Sequence, residues 1–198
     1  MMYMYLRNIF FVSLICFLSS GVAAQTTSPT NNKRLKWALY AGVGPNYYFN
    51  NLKVGKDLVK PFNYSFVARF MWEPEHFLSL GIETGYNRLY TLKASNSSGQ
   101  NAHIVNSAVP IQIVVSMKFL NDYYFNFSMG QSILFNKATA TNGNFDATSF
   151  SFADLGAALG YRRAISERFV VSAEAKFYYS THLDDKNIAL IFMAGYRF

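Results

Sequence analysis

Arg69, Glu83, Gln112, Asp154, Arg162, Glu174, Lys176 and Arg197 are the residues through which this sequence could do chemistry. Each stands on the smaller-residue face of a segment whose other face is a row of aromatic and aliphatic side chains. A strand turns successive side chains to opposite faces, so in a closed sheet all of these residues would point into one interior. Acids and bases held together out of water have to pair, because an unpaired buried charge is costly. The expectation is a salt-bridged plug of side chains, with Arg69, Glu83, Asp154, Arg162, Glu174, Lys176 and Arg197 forming a charge network. A narrow proton or ion path is the sharper alternative. An interior enclosed by eight strands is filled by side chains, which excludes a solute pore.

Other groups offer weaker chemistry. His103 and Ser107 sit four apart on one strand face, and lipid A deacylases use a serine and a histidine; no third partner is evident. His182, Asp184 and Asp185 could hold a divalent cation, since carboxylates suit hard metals. The plainer reading of that cluster is a solvated hairpin loop. Lys53, Lys56 and Lys60 could meet lipopolysaccharide phosphates, with a solvated charge cluster as the equal alternative. No glycine-rich phosphate loop, zinc spacing or hydrolase elbow appears, so no cofactor is expected. The formal charge is +7, but Lys and Arg are scattered rather than gathered in one run. That is not a nucleic-acid footprint.

The elements that would position these groups are strands. Aromatic residues make up 18% of the chain and charged residues only 15%, against about 25% charged in soluble domains. Residues 1–24 read as a cleaved signal peptide, with Arg7 before an apolar run and Val22-Ala23-Ala24 before the cut; the single cysteine, Cys16, lies within it. Residues 25–34 read as a flexible periplasmic lead-in. Strand candidates follow at 35–49, 63–73, 77–92, 104–119, 123–135, 151–165, 169–180 and 187–198. Tight turns (73–76, 120–122, 166–168) alternate with long polar loops (50–62, 93–103, 138–150, 181–187). Membrane barrels show this asymmetry, with the short turns periplasmic. The expected fold is an all-β, eight-stranded antiparallel transmembrane up-and-down barrel over residues 35–198.

Two aromatic belts should flank it. Trp37, Trp72, Phe119, Tyr123, Tyr161, Phe169, Tyr196 and Phe198 would form the periplasmic one, and Tyr86, Tyr90, Phe135 and Tyr179 the other. Pro110 is a misfit inside the fourth strand, since it gives no ladder donor. A bulge there, or a strand that begins only after it, is expected.

Several stretches together carry a family likeness: Trp37 to Gly44, the tight Glu73-Pro74-Glu75 turn, Val109-Pro110-Ile111, and the closing Gly195-Tyr196-Arg197-Phe198. They resemble the small outer-membrane β-barrel family of Bacteroidetes that includes the PorT-like proteins, over Leu35 to Phe198. The apolar last strand ending in Phe also resembles the sorting signal of bacterial outer-membrane barrels, with Tyr196 and Phe198 as the assembly signal. The resemblance implies an integral outer-membrane location, contact with lipid, lipopolysaccharide and the barrel assembly machinery, and no catalytic residues. Some PorT-like members are implied to assist type IX secretion, so secretion components are conceivable partners. Three function classes stand open: a structural or accessory envelope barrel, a surface-binding barrel acting through its long loops, and a lipid A enzyme.

Overall fold

The alternation of the sequence sets the fold. In β1 (Trp37–Phe49) every second residue is buried, without a break from Ala38 to Tyr48. The computed structural model describes residues 37–49, 58–74, 78–95, 101–120, 122–140, 143–181 and 185–198. Among them run β2 (Val59–Lys60), β3 (Phe62–Trp72), β4 (Leu78–Ser95), β5 (Asn101–Phe119), β6 (Tyr123–Ala140), β7 (Gly143–Ala164), β8 (Phe169–Ser180) and β9 (Asp185–Arg197). All pairings are antiparallel, in the order β2-β4-β3-β1-β9-β8-β7-β6-β5, and β4 pairs with β5 to close the ring. β2 is a two-residue addition to β4; the other eight strands form the barrel. The seam between the ends of β1 and β9 is tied by the Phe198 N–H to the Trp37 carbonyl at 2.9 Å and the reverse bond at 3.2 Å.

The outside is apolar and the inside polar, the inverse of a soluble domain. Leu39, Ile82, Ile113 and Phe192 are 53 to 62% exposed, while Arg69, Glu83 and Glu174 are each 1% exposed. Such a surface fits hydrocarbon, and closure leaves no unpaired edge within it. Aromatics mark both borders. At the short-turn end, Trp37 stacks on Phe70 at 4.9 Å and Phe70 meets Phe198 at 6.2 Å. Tyr196 continues the row between Phe198 and Phe169, and Phe119, Tyr123 and Tyr161 form a second group. Toward the far end Tyr64 meets Tyr86. From Trp37 to Tyr47 is about 34 Å of strand at ~3.4 Å per residue. A tilt of about 40° reduces that to about 26 Å of height, the thickness of the apolar band of such barrels.

Three expectations are corrected. The stretches 93–103 and 138–150 are not long loops. Lys93 pairs with His103 and Ser95 with Asn101; Ala138 pairs with Phe145 and Ala140 with Gly143. Their Asn, Ser, Thr and Gly residues read as loop because no apolar face is needed there; backbone pairing makes them strand. Gly143 has φ +148°, in the region that favours glycine.

Pro110 lies within a continuous β5, which neither bulges at it nor begins after it. The ladder to β4 instead skips Gly85 and Tyr86, opposite Val109 and Pro110, while pairing to β6 is kept at Pro110 and Ser132. The missing N–H falls in that gap. The bulge sits further along β4, between Arg88 and Tyr90. It turns Tyr90 away from the outer belt and onto the inward Tyr48 ring, at 5.0 Å.

Candidate functional site

Cross-strand register builds the centre of the interior. Arg69 of β3 and Glu83 of β4 are direct partners. The Arg69 Nε donates to Glu83 Oε2 at 2.8 Å, and its Nη2 pairs with the same carboxylate. The guanidinium also reaches across the lumen to Glu174 of β8, at 2.9 Å (Nη2–Oε1) and 3.2 Å (Nη1–Oε2). Lys176, two residues further on the same face of β8, pairs with Glu83. Tyr124 and Asn126 of β6 donate to Glu174 at 3.0 and 3.1 Å. Two cations thus meet two carboxylates and cancel. β3 and β8 are separated by β1 and β9 in the sheet, so this bridge spans the lumen and plugs it.

A second group lies at the short-turn mouth. Glu73 accepts from Tyr40 at 2.7 Å and from the Arg197 Nε at 3.0 Å, and pairs with Arg162. The Arg162 guanidinium sits over the rings of Tyr40 and Tyr124, 4.6 Å from each centroid. Those rings pack over Gly195 and Gly160, where an added Cβ would overlap them. Glu73 lies just past β3, outside the spanning strands. Burial pushes its carboxyl up, but Arg162, the Tyr40 hydrogen bond, Arg197 and Lys118 outweigh burial and hold it below the usual range. A cavity of about 210 Å³ opens beside this group, lined by Lys118, Asp122, Arg162 and Arg197 among others.

Asp154 is fully buried on the inward face of β7. Hydroxyls hold it: Tyr178 donates to Oδ2 at 2.6 Å and Ser151 to Oδ1. The Thr181 N–H reaches Oδ1 at 3.3 Å, so Asp154 anchors the end of β8. Gln112 accepts from Ser128 at 2.9 Å and stands 3.5 Å from the Asp154 carbonyl. Further out, Tyr48, Val59, Leu89, Ala108, Leu134 and Tyr178 pack into an apolar cluster that closes the far mouth.

The sequence places Glu73 where the second strand passes into a tight turn. It continues the inward row Ser65, Val67, Arg69 and Met71 by one more step of two, and that phase was the available signal. Tyr40, Tyr124 and Tyr178 lie on recognised inward faces, but periodicity does not say which hydroxyl meets which acid.

His103 and Ser107 both belong to the continuous β5. Four residues of strand separate them by about 13 Å, too far for a base to take a proton from the hydroxyl, so the paired reading is corrected. Asp185 is not in a solvated loop: it opens β9, is 5% exposed and accepts from Tyr48. His182 and Asp184 lie outside the described residues, and no group of metal-binding side chains occurs among those described. Lys60 is exposed on β2; Lys53, Lys56, Cys16 and the segments 1–24 and 25–34 lie outside the described residues.

The other distinctive region is above the far border. β1, β3, β8 and β9 have 13, 11, 12 and 13 residues. β4 to β7 have 18, 19, 18 and 22. The four long strands therefore continue as a sheet after the others stop. β7 pairs with β8 only from Leu155 to Ala164. From Gly143 to Ser151 it has β6 on one side, a bulge follows over Phe152 and Ala153, and along the whole stretch there is no strand on the other side among the described residues. Phe145 is 68% exposed there.

The fold has solved counterparts. Ail, the attachment invasion locus protein of Yersinia pestis, matches with TM-score 0.51 at 15% identity, covering 83% of this chain and 99% of that one. Ail in complex with the heparin analogue sucrose octasulfate matches at 0.53, with the same identity and coverage. Neisserial surface protein A matches at 0.45 and 12% identity, over 82% of this chain and 97% of that one. No curated protein sequence matches the chain. The model of the outer membrane protein beta-barrel domain matches residues 12–198. With the inverted polarity, the aromatic borders and the closed ring, the chain belongs to the outer membrane protein beta-barrel domain family and is an outer-membrane barrel.

Proposed function

We propose that the chain is a non-catalytic outer-membrane barrel that works by docking a partner on the sheet it raises beyond the bilayer. The observation that carries this reading is the unequal strand length. β4 to β7 run past the rim at which the other four strands end, although spanning the membrane needs only about 9–11 residues. The plugged interior supports it from the other side, since it offers a solute no path. Lys60, with Lys53 and Lys56, serves in this reading as a contact for lipopolysaccharide phosphates. Outward-facing Tyr196 and Phe198 serve as the signal met by the assembly machinery.

The test is rescue of a deletion strain by a chain with both arms trimmed, joining Leu92 to Ile104 and Lys137 to Asp146 through Asn-Gly turns. Secreted protein and detergent leakage are measured together. The trimmed chain should reach the outer membrane, migrate as a heat-modifiable barrel and fail to rescue. Full rescue would mean that the barrel alone is the working part, an envelope-structural role. Secretion cargo held in the periplasm behind an intact permeability barrier would identify the partner as a secretion component.

A further inference from the structure

We propose that the open edge of β7, from Gly143 to Ala153, takes up an extended segment of a partner protein as an added β-strand. The proposal rests on the docking reading and specifies its mode. In an antiparallel strand, alternate residues direct their N–H and C=O to opposite neighbours. β7 is paired with β6 from Gly143 to Ser151, bulges over Phe152 and Ala153, and along the whole stretch meets no strand on its other side among the described residues. The unpaired row covers about 36 Å at ~3.3 Å per residue, long enough for a full strand.

The two edges of the raised sheet differ in how they are protected. The β4 edge is covered by β2 at Thr91 and Leu92 and then carries Lys93. A covering strand and an edge lysine are ways in which natural sheets block unwanted pairing. From Asn144 to Ala153 the β7 edge has neither lysine nor proline. It also offers side-chain purchase. Phe145 shares a face with Ala147 on β7 and with Ala138 and Ile104 through the register, so an apolar side chain of an incoming strand finds apolar neighbours at that end of the edge. The opposite face presents Asp146, Thr148 and Lys137 toward the tip and exposed Phe150 and Phe152 nearer the membrane, which suits a segment whose outer half alternates apolar and polar residues.

A second copy of the chain does not fit this edge. Copies in one membrane share one orientation, so a two-fold axis relating them lies along the membrane normal. Strands tilted by about 40° and related by that axis cross at about 80°, which prevents a ladder between them. An extended segment of a different protein has no such constraint.

The experiment uses the full chain in nanodiscs and, as probe, a fluorescent synthetic peptide alternating valine with threonine, read by anisotropy. The peptide should bind the full chain and bind severalfold more weakly to the arm-trimmed chain, which keeps only Asp146 to Ala153 of this edge. The same peptide with N-methylated valines, which lacks those backbone donors, should bind at least tenfold more weakly. Phe145→Glu should weaken binding severalfold in a chain whose heat-modifiable migration is unchanged. No binding, or equal binding of the N-methylated peptide, overturns strand addition. A dimer seen by light scattering and abolished by Thr148→Pro overturns it in favour of self-pairing. These outcomes separate from the docking reading: a trimmed chain that fails to rescue, with no peptide bound, leaves docking standing without strand addition. A trimmed chain that rescues fully removes docking itself.

Discussion

β4 to β7 are each two things in succession: a wall of the barrel below the far rim and part of a free sheet above it. Below, every strand has two neighbours, its outer side chains meet hydrocarbon, and its inner ones join a neutral ion network. Above, the same strands meet water on both faces and β7 loses its neighbour after Leu155. What holds the lower part is closure and buried charge pairing; what holds the upper part is the backbone ladder alone. The lower part should therefore be stiff and intolerant, and the upper part tolerant of change and able to accept another strand.

Arg69→Met should break this contrast most forcefully. It leaves Glu83 and Glu174 with Lys176 as the only cation in the group. Removing one partner of a buried pair costs about 3–5 kcal/mol. Denaturant unfolding in detergent should show a midpoint falling accordingly, and adding Glu174→Gln should recover part of the loss.

At the short-turn mouth Glu73→Gln should cost about 2–3 kcal/mol by leaving Arg162 and Arg197 without their carboxylate. Because the Glu73 carboxyl is held below the usual carboxylate value of 4.5, its stabilising contribution is present above that pH. It is lost as pH falls through the lower folded-state value. Acid titration of the unfolding midpoint should show the wild type losing this increment below about pH 4 and Glu73→Gln lacking it. Gly195→Ala should cost about 1–3 kcal/mol, since the new methyl displaces the Tyr40 ring that shelters Arg162. In the raised sheet, Lys137→Ala should stay within about 0.5 kcal/mol by the same denaturation assay. The smallest effect on the spanning barrel should come from trimming both arms.

The lower part was legible in the sequence because lipid outside and packed charge inside force strict alternation. The face of nearly every spanning residue follows from period two, from Trp37 to Phe198. Above the rim the alternation weakens because both faces are wet, so 93–103 and 138–150 looked like loops. Tyr90 was misplaced for a local reason, since the bulge after Arg88 reverses the phase. That Arg69, Glu83, Arg162, Glu174, Lys176 and Arg197 face inward was legible; the part of Glu73 and the pairing were not. That Arg69 reaches across to Glu174, or that Asp154 is held by hydroxyls, depends on barrel width and stagger, which no single segment encodes. His103 and Ser107 show the opposite error: shared phase on a strand places residues on one face without bringing them together.

The most direct test is residue-resolved amide exchange by NMR on the full chain in nanodiscs. From Leu155 to Tyr161, where β7 has two neighbours, all strand amides should be protected. From Gly143 to Ser151, protection should alternate, with amides bonded to β6 slow and those facing the open edge exchanging as fast as unpaired backbone. Uniform protection along both stretches would contradict the account, because it would mean that the edge of β7 is already covered.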